Sequence, residues 1–411
     1  MDKLTAETRQ NVPHCRQTGG FDPSLSHPKQ WYTTFLGMAA ALVFLVLPMG
    51  ARAASLQLPK TGETLCYDQT GAVLACAGTG QDGETQAGAA WPVPRFTDNQ
   101  NGTVSDNLSG LIWLKDANCT DIQSSGGSDW NGAISGAKAL HSGQCQLSDG
   151  SVSGDWRLPN VNELESLIDL SQAYPPLPLG NPFNKIVATW YWTSTVQAVY
   201  PTNAEGLEMY SGNVRGDVRD QLKFVWPVKG TSIEIARSGE SSCWDLNGNP
   251  ISCTGSGADG EKQAGVVWPN PRFFDNGNGT LTDLLTDLIW LKKADCFSSK
   301  ATQGEAIAAA QTLASGNCSL SDGSVPGNWR IPNRKELRTL VNYGQPSGSV
   351  WLGGQGFTNV TGGWYWSRQQ HQVAGQNGGR SLDFRLGRRN ITDRAQIHAA
   401  CPQSTRCTDD A

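Results

Sequence analysis

Arg95 to Lys115 reads RFTDNQNGTVSDNLSGLIWLK, and Arg272 to Lys292 reads RFFDNGNGTLTDLLTDLIWLK, a near copy 177 positions later. Agreement over 21 residues at one fixed offset marks a tandem duplication of a whole module. Inside the stretch, Asn101-Gly102 and Asn278-Gly279 are hairpin dipeptides, because both central positions of such a turn tolerate positive φ. Leu-Ile-Trp-Leu (111–114 and 288–291) is a short continuous apolar run, the pattern of a strand buried on both faces. The stretch therefore predicts three short strands at the centre of each core.

Outward from it the copies stay parallel. Cys66 to Cys76 and Cys243 to Cys253 each enclose a turn signal, so a bridge would staple the ends of a small hairpin. GTGQDGETQAG (78–88) and GSGADGEKQAG (255–265) read as an ordered loop. Ala133, Ile134, Ala137 and Leu140 fall on one helical face, and Ala306, Ile307, Ala310 and Leu313 repeat it. A second helix follows Trp-Arg-Leu-Pro-Asn (156–160) and Trp-Arg-Ile-Pro-Asn (329–333), with Asn160/Glu163 and Asn333/Glu336 spaced as capping boxes. Trp190-Tyr191-Trp192 and Trp364-Tyr365-Trp366 start the closing strands. Lys229–Ser241 lacks this periodicity and reads as the boundary, giving modules over 54–229 and 242–411 with a linker over 230–241.

The 411 residues suffice for two such modules, each with its own core. Glycine (47) is abundant and only 17% of residues are charged, which favours short strands and tight turns over helical bundles. Residues 1–53 read as a targeting segment: the apolar run Phe35–Leu47 follows Arg9, Arg16 and Lys29, and Ala51-Arg52-Ala53 offers a cleavage site. The alternative is an uncleaved anchor, which would be the only route to a membrane. Either way the rest is exported, to the periplasm, the outer surface or the medium.

Cysteine usage agrees. Beyond Cys15, ten cysteines remain, and eight recur with the repeat: Cys66/Cys76 with Cys243/Cys253, and Cys119/Cys145 with Cys296/Cys318. Cys401 and Cys407 make a last close pair. In an oxidising compartment these become five disulfides, each within its couple; zinc would call for tight Cys-x-x-Cys or Cys/His clusters, and none is present. The part after residue 53 carries 27 basic against 34 acidic side chains, a balance of −7 that argues against nucleic acid as a bulk partner.

Together these motifs resemble the Lcl C-terminal domain family, common in secreted bacterial proteins. The resemblance rests on the opening stretch, on LSDGSVSGDWRLPN (147–160) and LSDGSVPGNWRIPN (320–333), on the glutamate of the next helix, and on WYWTST (190–195). It implies an α+β fold with two C-type-lectin-like modules, each of short antiparallel strands with about two helices. It also implies adhesin-like binding of sulfated glycosaminoglycans, since the named member is a collagen-like adhesin. The sequence departs from the pattern where Ala400-Cys401-Pro402 replaces Val225-Trp226-Pro227 and WYWSRQ (364–369) replaces WYWTST, and it has no Gly-x-y tract.

The residues themselves supply little catalytic machinery. Beyond residue 53 only His141, His371 and His398 occur, and none is duplicated. Asp98 and Asp106, with Asp275 and Asp283, flank the hairpin turn and offer oxygens to calcium, but Gly102 falls one position short of an EF-hand glycine, so turn-stabilising carboxylates are the favoured reading and no metal or cofactor is expected. Arg157 and Arg330, beside a helix start, are expected to tie carbonyls or a carboxylate inside the fold. One feature is not duplicated: Arg368, Arg380, Arg385, Arg388, Arg389 and Arg394 crowd the second module against only Asp383 and Asp393. Arginine forks suit sulfate and carboxylate. These residues predict an exported, non-enzymatic protein that binds an acidic or sulfated glycan. The alternatives are an envelope scaffold with a protein partner and an oxidase-related enzyme of the formylglycine-generating type.

Overall fold

The duplicated stretch forms an antiparallel meander in each copy: Phe96–Asp98, Thr103–Asp106 and Ile112–Leu114 in the first, Phe273–Asp275, Thr280–Asp283 and Ile289–Leu291 in the second. The computed structural model describes residues 55–297 and 301–370, and the backbone of strands Gly379–Asp383, Arg388–Ile391 and Ala400–Cys401. The targeting segment, His371, His398, Arg385, Arg394 and Cys407 lie outside the described residues. The other four expected disulfides are all formed, Cys66–Cys76, Cys119–Cys145, Cys243–Cys253 and Cys296–Cys318.

In the first copy Val228–Lys229 and Trp156–Arg157 extend the meander to five strands, with the Leu-Ile-Trp-Leu strand in the middle. That position explains the unbroken apolar run: Leu111, Trp113 and Leu114 are fully buried because both faces are covered. The Asn-Gly dipeptide does not make the expected two-residue turn. Asp98 pairs with Val104, leaving a longer loop in which Gln100 and Gly102, rather than Asn101, take positive φ. The Asn101 side chain accepts from the Thr103 hydroxyl (2.7 Å) and its carbonyl from the Ser148 amide (2.9 Å), which ties the loop to the segment after Cys145. Gly102 is required there, since a Cβ would stand 2.5 Å from the Gln146 carbonyl oxygen.

Helices Trp130–Ala139 and Gln303–Thr312 bury the alanine and isoleucine faces read from the spacing. The second helices, Val161–Ser166 and Arg334–Arg338, start at the expected capping boxes. The Gln-Asp-Gly loops are single helical turns, Asp82–Thr85 and Asp259–Lys262. Each copy closes with a three-stranded antiparallel sheet: Trp190–Gln197, Tyr200–Glu208 and Val214–Val218 in one, Trp364–Gln370, Gly379–Asp383 and Arg388–Ile391 in the other. The fold is thus α+β, with small antiparallel sheets and short helices.

From Ala53 on, the chain is one compact unit. Residues 230–241, expected to be a linker, are built into it: Ser232, Ser238 and Glu240 are buried and Ala236 bridges Val266. They occupy the place that residues 53–64 hold in the first copy, where Pro59 bridges Ala89. The reason is symmetry. Each opening segment lies between its own copy and the other, so neither can be a free tether.

Candidate functional site

The hairpin carboxylates serve the scaffold. Asp106 accepts two bonds from Arg95 (2.7 and 3.0 Å) and one from the Ser109 hydroxyl, while Arg95 also donates to the Ser166 carbonyl (3.0 Å). Arg272 and Asp283 repeat the pair at 3.1 and 2.9 Å. Asp98 pairs with Lys115 at 2.6 Å and Asp275 with Lys292 at 2.5 Å. The lysine in each case holds its aspartate below the usual carboxylate range. All four carboxylates weighed for calcium therefore face cations of the chain itself. Cys119, Asp121 and Cys145 also lie close together, but the two sulfurs are bonded to each other and Asp121 accepts from the Cys145 amide at 2.6 Å.

Arg157 grips Glu163 through two bonds (2.7 and 2.5 Å), and Glu163 in turn accepts from the Asn160 amide (2.8 Å). Arg330 and Glu336 repeat this at the same distances. The expected internal tie is present in both copies. His141 is the only histidine among the described residues; it is exposed, its Nδ1 lies 3.0 Å from the Ala139 carbonyl oxygen, and no nucleophile is paired with it there.

The arginine cluster divides. Arg368 is fully buried and its Nε stands 3.1 Å from Asp82 Oδ1, so it is withdrawn from any surface site. Its strand runs Tyr365 to Gln369 without an exposed position, which is why alternation misplaces it. Arg380 lies on Gly379–Asp383, and Arg388 and Arg389 lie on the adjacent strand, opposite Asp383 and Leu382.

The sequence reading missed the joint between the copies. Asp82 and Asp259 each reach from an opening segment into the other copy's closing strand. Asp259 accepts from the Thr195 hydroxyl (2.6 Å), where Asp82 meets Arg368. Asn160 donates across to the Ala264 carbonyl (3.0 Å) and Asn333 to that of Ala87 (3.1 Å). On the central helices Arg334 donates to Glu165 at 2.5 Å, and Arg338 pairs with the same carboxylate. Burial, with Glu163 nearby, pushes Asp259 up to about 6, and burial with Asp259 nearby pushes Glu240 up to about 8. Burial and the neighbouring Arg95 lower Lys335 to about 7; its ammonium donates to the Lys60 carbonyl (2.8 Å) over the Trp91 ring. The duplicated Asp-Gly-Glu of the opening loops was the one available signal.

With this geometry in place, a family model, the Lcl C-terminal domain, matches residues 102–229 and again 279–402. The chain belongs to that family. Comparisons with curated proteins and with solved structures return no match. Both Lcl C-terminal domains begin inside the hairpin loop, so the exchanged opening segments lie outside the matched stretches. In the second domain those segments help form a groove of about 750 Å³, lined in part by Gln57, Thr85, Asp287, Gln311, Arg330 and Glu336. At the matching place in the first domain, Arg157 donates to the Gly230 carbonyl (2.8 Å).

Proposed function

We propose that the chain is an exported, non-enzymatic binding protein whose second Lcl C-terminal domain recognises an anionic glycan or a similar surface polymer. The observation that carries this reading is the unduplicated arginine set: Arg380, Arg388 and Arg389 lie on two hydrogen-bonded neighbouring strands, with Arg385 and Arg394 flanking them in sequence. Guanidinium forks bind sulfate and carboxylate in pairs, and hydrogen bonds to charged groups contribute about 1.5–3 kcal/mol each. Family membership, the disulfides and a C-type-lectin-like arrangement of short strands fit an adhesin-like role outside the cytoplasm. The described histidine and cysteines offer no nucleophile and base in contact, which supports binding over catalysis.

Heparin chromatography of the purified chain tests the reading. Retention should fall when Arg388 and Arg389 are both replaced by Gln, and should weaken steeply with salt. Elution at low salt, unchanged by Arg380→Gln, Arg388→Gln and Arg389→Gln together, would overturn it. Co-purification from envelopes with one stoichiometric protein would favour a scaffold instead.

A further inference from the structure

The joint between the copies contains a second cavity, about 450 Å³, bounded by Trp130, Asn131, Arg219, Trp244, Leu246 and Asn247. Ligand pockets fall in the range of roughly 300–1,000 Å³. Its walls come from both copies. Trp130 opens the first copy's long helix, and the Arg219 guanidinium lies 5.0 Å from its ring centre. Trp244 is half-buried on the stapled strand of the second copy.

Two donors there lack partners. Arg219 is only 3% exposed; it donates to the carbonyls of Trp244 (3.1 Å) and Asp245, but its Nε has no hydrogen-bond partner. The Trp244 indole N–H is likewise buried without one. A buried donor left unsatisfied costs about 1–3 kcal/mol, so such a pair points to an acceptor supplied from outside. The rim is mixed. Leu246 and Ile251 are 56% and 47% exposed, beside exposed Asn131 and Asn247. Turns seldom carry such residues, and the first copy has Gln69 and Tyr67 where the second has Leu246 and Trp244.

We propose that this cleft binds a neutral pyranose ring, its C–H face against Trp244 and its hydroxyl oxygens accepting from the indole and guanidinium donors. A pyranose presents an apolar face and an edge of hydroxyls, which matches aromatic walls with stranded N–H groups and amides at the mouth. An anionic ligand fits less well. Asp245 borders the cleft, and hydrogen bonds from Asn249 hold its carboxyl below the usual range, so the rim is negative. The inference uses none of Arg380–Arg394, and the heparin result can fail without it.

The test is saturation-transfer NMR on the purified full-length chain, with methyl glucoside, methyl galactoside and N-acetylglucosamine as probes. At least one should bind saturably with roughly millimolar affinity, competed by its own excess. Trp244→Ala should weaken it about tenfold or more, while Trp244→Phe retains most of it. Ile251→Trp, placed on an exposed strand, should block the mouth and abolish transfer without touching the core. Absence of transfer from all three probes at tens of millimolar, or transfer unchanged in Trp244→Ala and Ile251→Trp, would overturn the proposal.

Discussion

The same joint is built twice, and the two copies solve it with different chemistry. In the first, the buried carboxylate of Asp259 is met by the hydroxyl of Thr195; in the second, Asp82 is met by the guanidinium of Arg368. One carboxylate drifts up to about 6 for want of a cation, while burial and the neighbouring Arg330 draw Arg368 down to about 10. The central helices have also diverged. Val161, Asn162 and Glu165 correspond to Arg334, Lys335 and Arg338, so Glu165 meets two arginines where identical copies would set glutamate against glutamate. Duplication preserved the hairpins and caps, and divergence made the seam one-sided. Complementary charge of this kind fixes which surface meets which, and like charges at the same place would oppose the contact.

Making the second joint resemble the first is the harshest test. Arg368→Ser installs the Ser194 chemistry and strands Asp82 in a dry site with Thr61 as its remaining partner. Breaking one side of a buried pair costs about 3–5 kcal/mol. The urea midpoint should fall accordingly, and adding Asp82→Asn should recover part of the loss. A single variant as stable as the parent would mean that Arg368 and Asp82 do not hold the copies together.

The pH dependence separates the joints next. Glu240 and Asp259 both titrate higher in the fold than their ordinary values near 4, so the folded chain holds more protons than the unfolded one between about pH 4 and 8. Their contribution is complete below about pH 4 and is lost as pH rises through about 6 for Asp259 and about 8 for Glu240. Each titrating group changes stability by up to about 1.4 kcal/mol per pH unit. Glu240→Gln should therefore flatten the loss between pH 6 and 8, and Asp259→Asn the loss below it, measured by urea midpoints across pH 5–9. A parent stability that climbs over this interval would contradict the assignment.

What could be read beforehand follows the reach of each interaction. Capping boxes, cysteine staples and the Leu-Ile-Trp-Leu strand depend on neighbours within a few residues or on a local apolar run, and they appear where the spacing puts them. The joint depends on contacts such as Asn333 to Ala87, which no local pattern announces. Asp82 and Asp259 look like turn acids, and Arg368 looks exposed because a strand buried on both faces has no polar alternation. Residues 232–243 escaped because they match 55–66 only when Leu and Ile, Lys and Arg, and Thr and Ser are taken as equivalents. The arginine reading failed at Arg368 for the same reason that the joint was missed.

The smallest expected effect tests where the copies remain alike. Asn160 and Asn333 cap their helices by accepting from Glu163 and Glu336 amides at 2.9 Å, and each also donates across the joint. Replacing either with Ala removes an N-cap worth about 1 kcal/mol and one further neutral bond of about 1 kcal/mol. Asn→Asp separates the two, because a carboxylate still caps but cannot donate to a carbonyl. Each Ala variant should lower urea stability by about 2 kcal/mol, each Asp variant should retain its cap, and the two positions should agree. A clear difference between Asn160→Ala and Asn333→Ala would show that divergence has reached even the residues the copies share, because identical local bonds would then be carrying unequal weight at the joint.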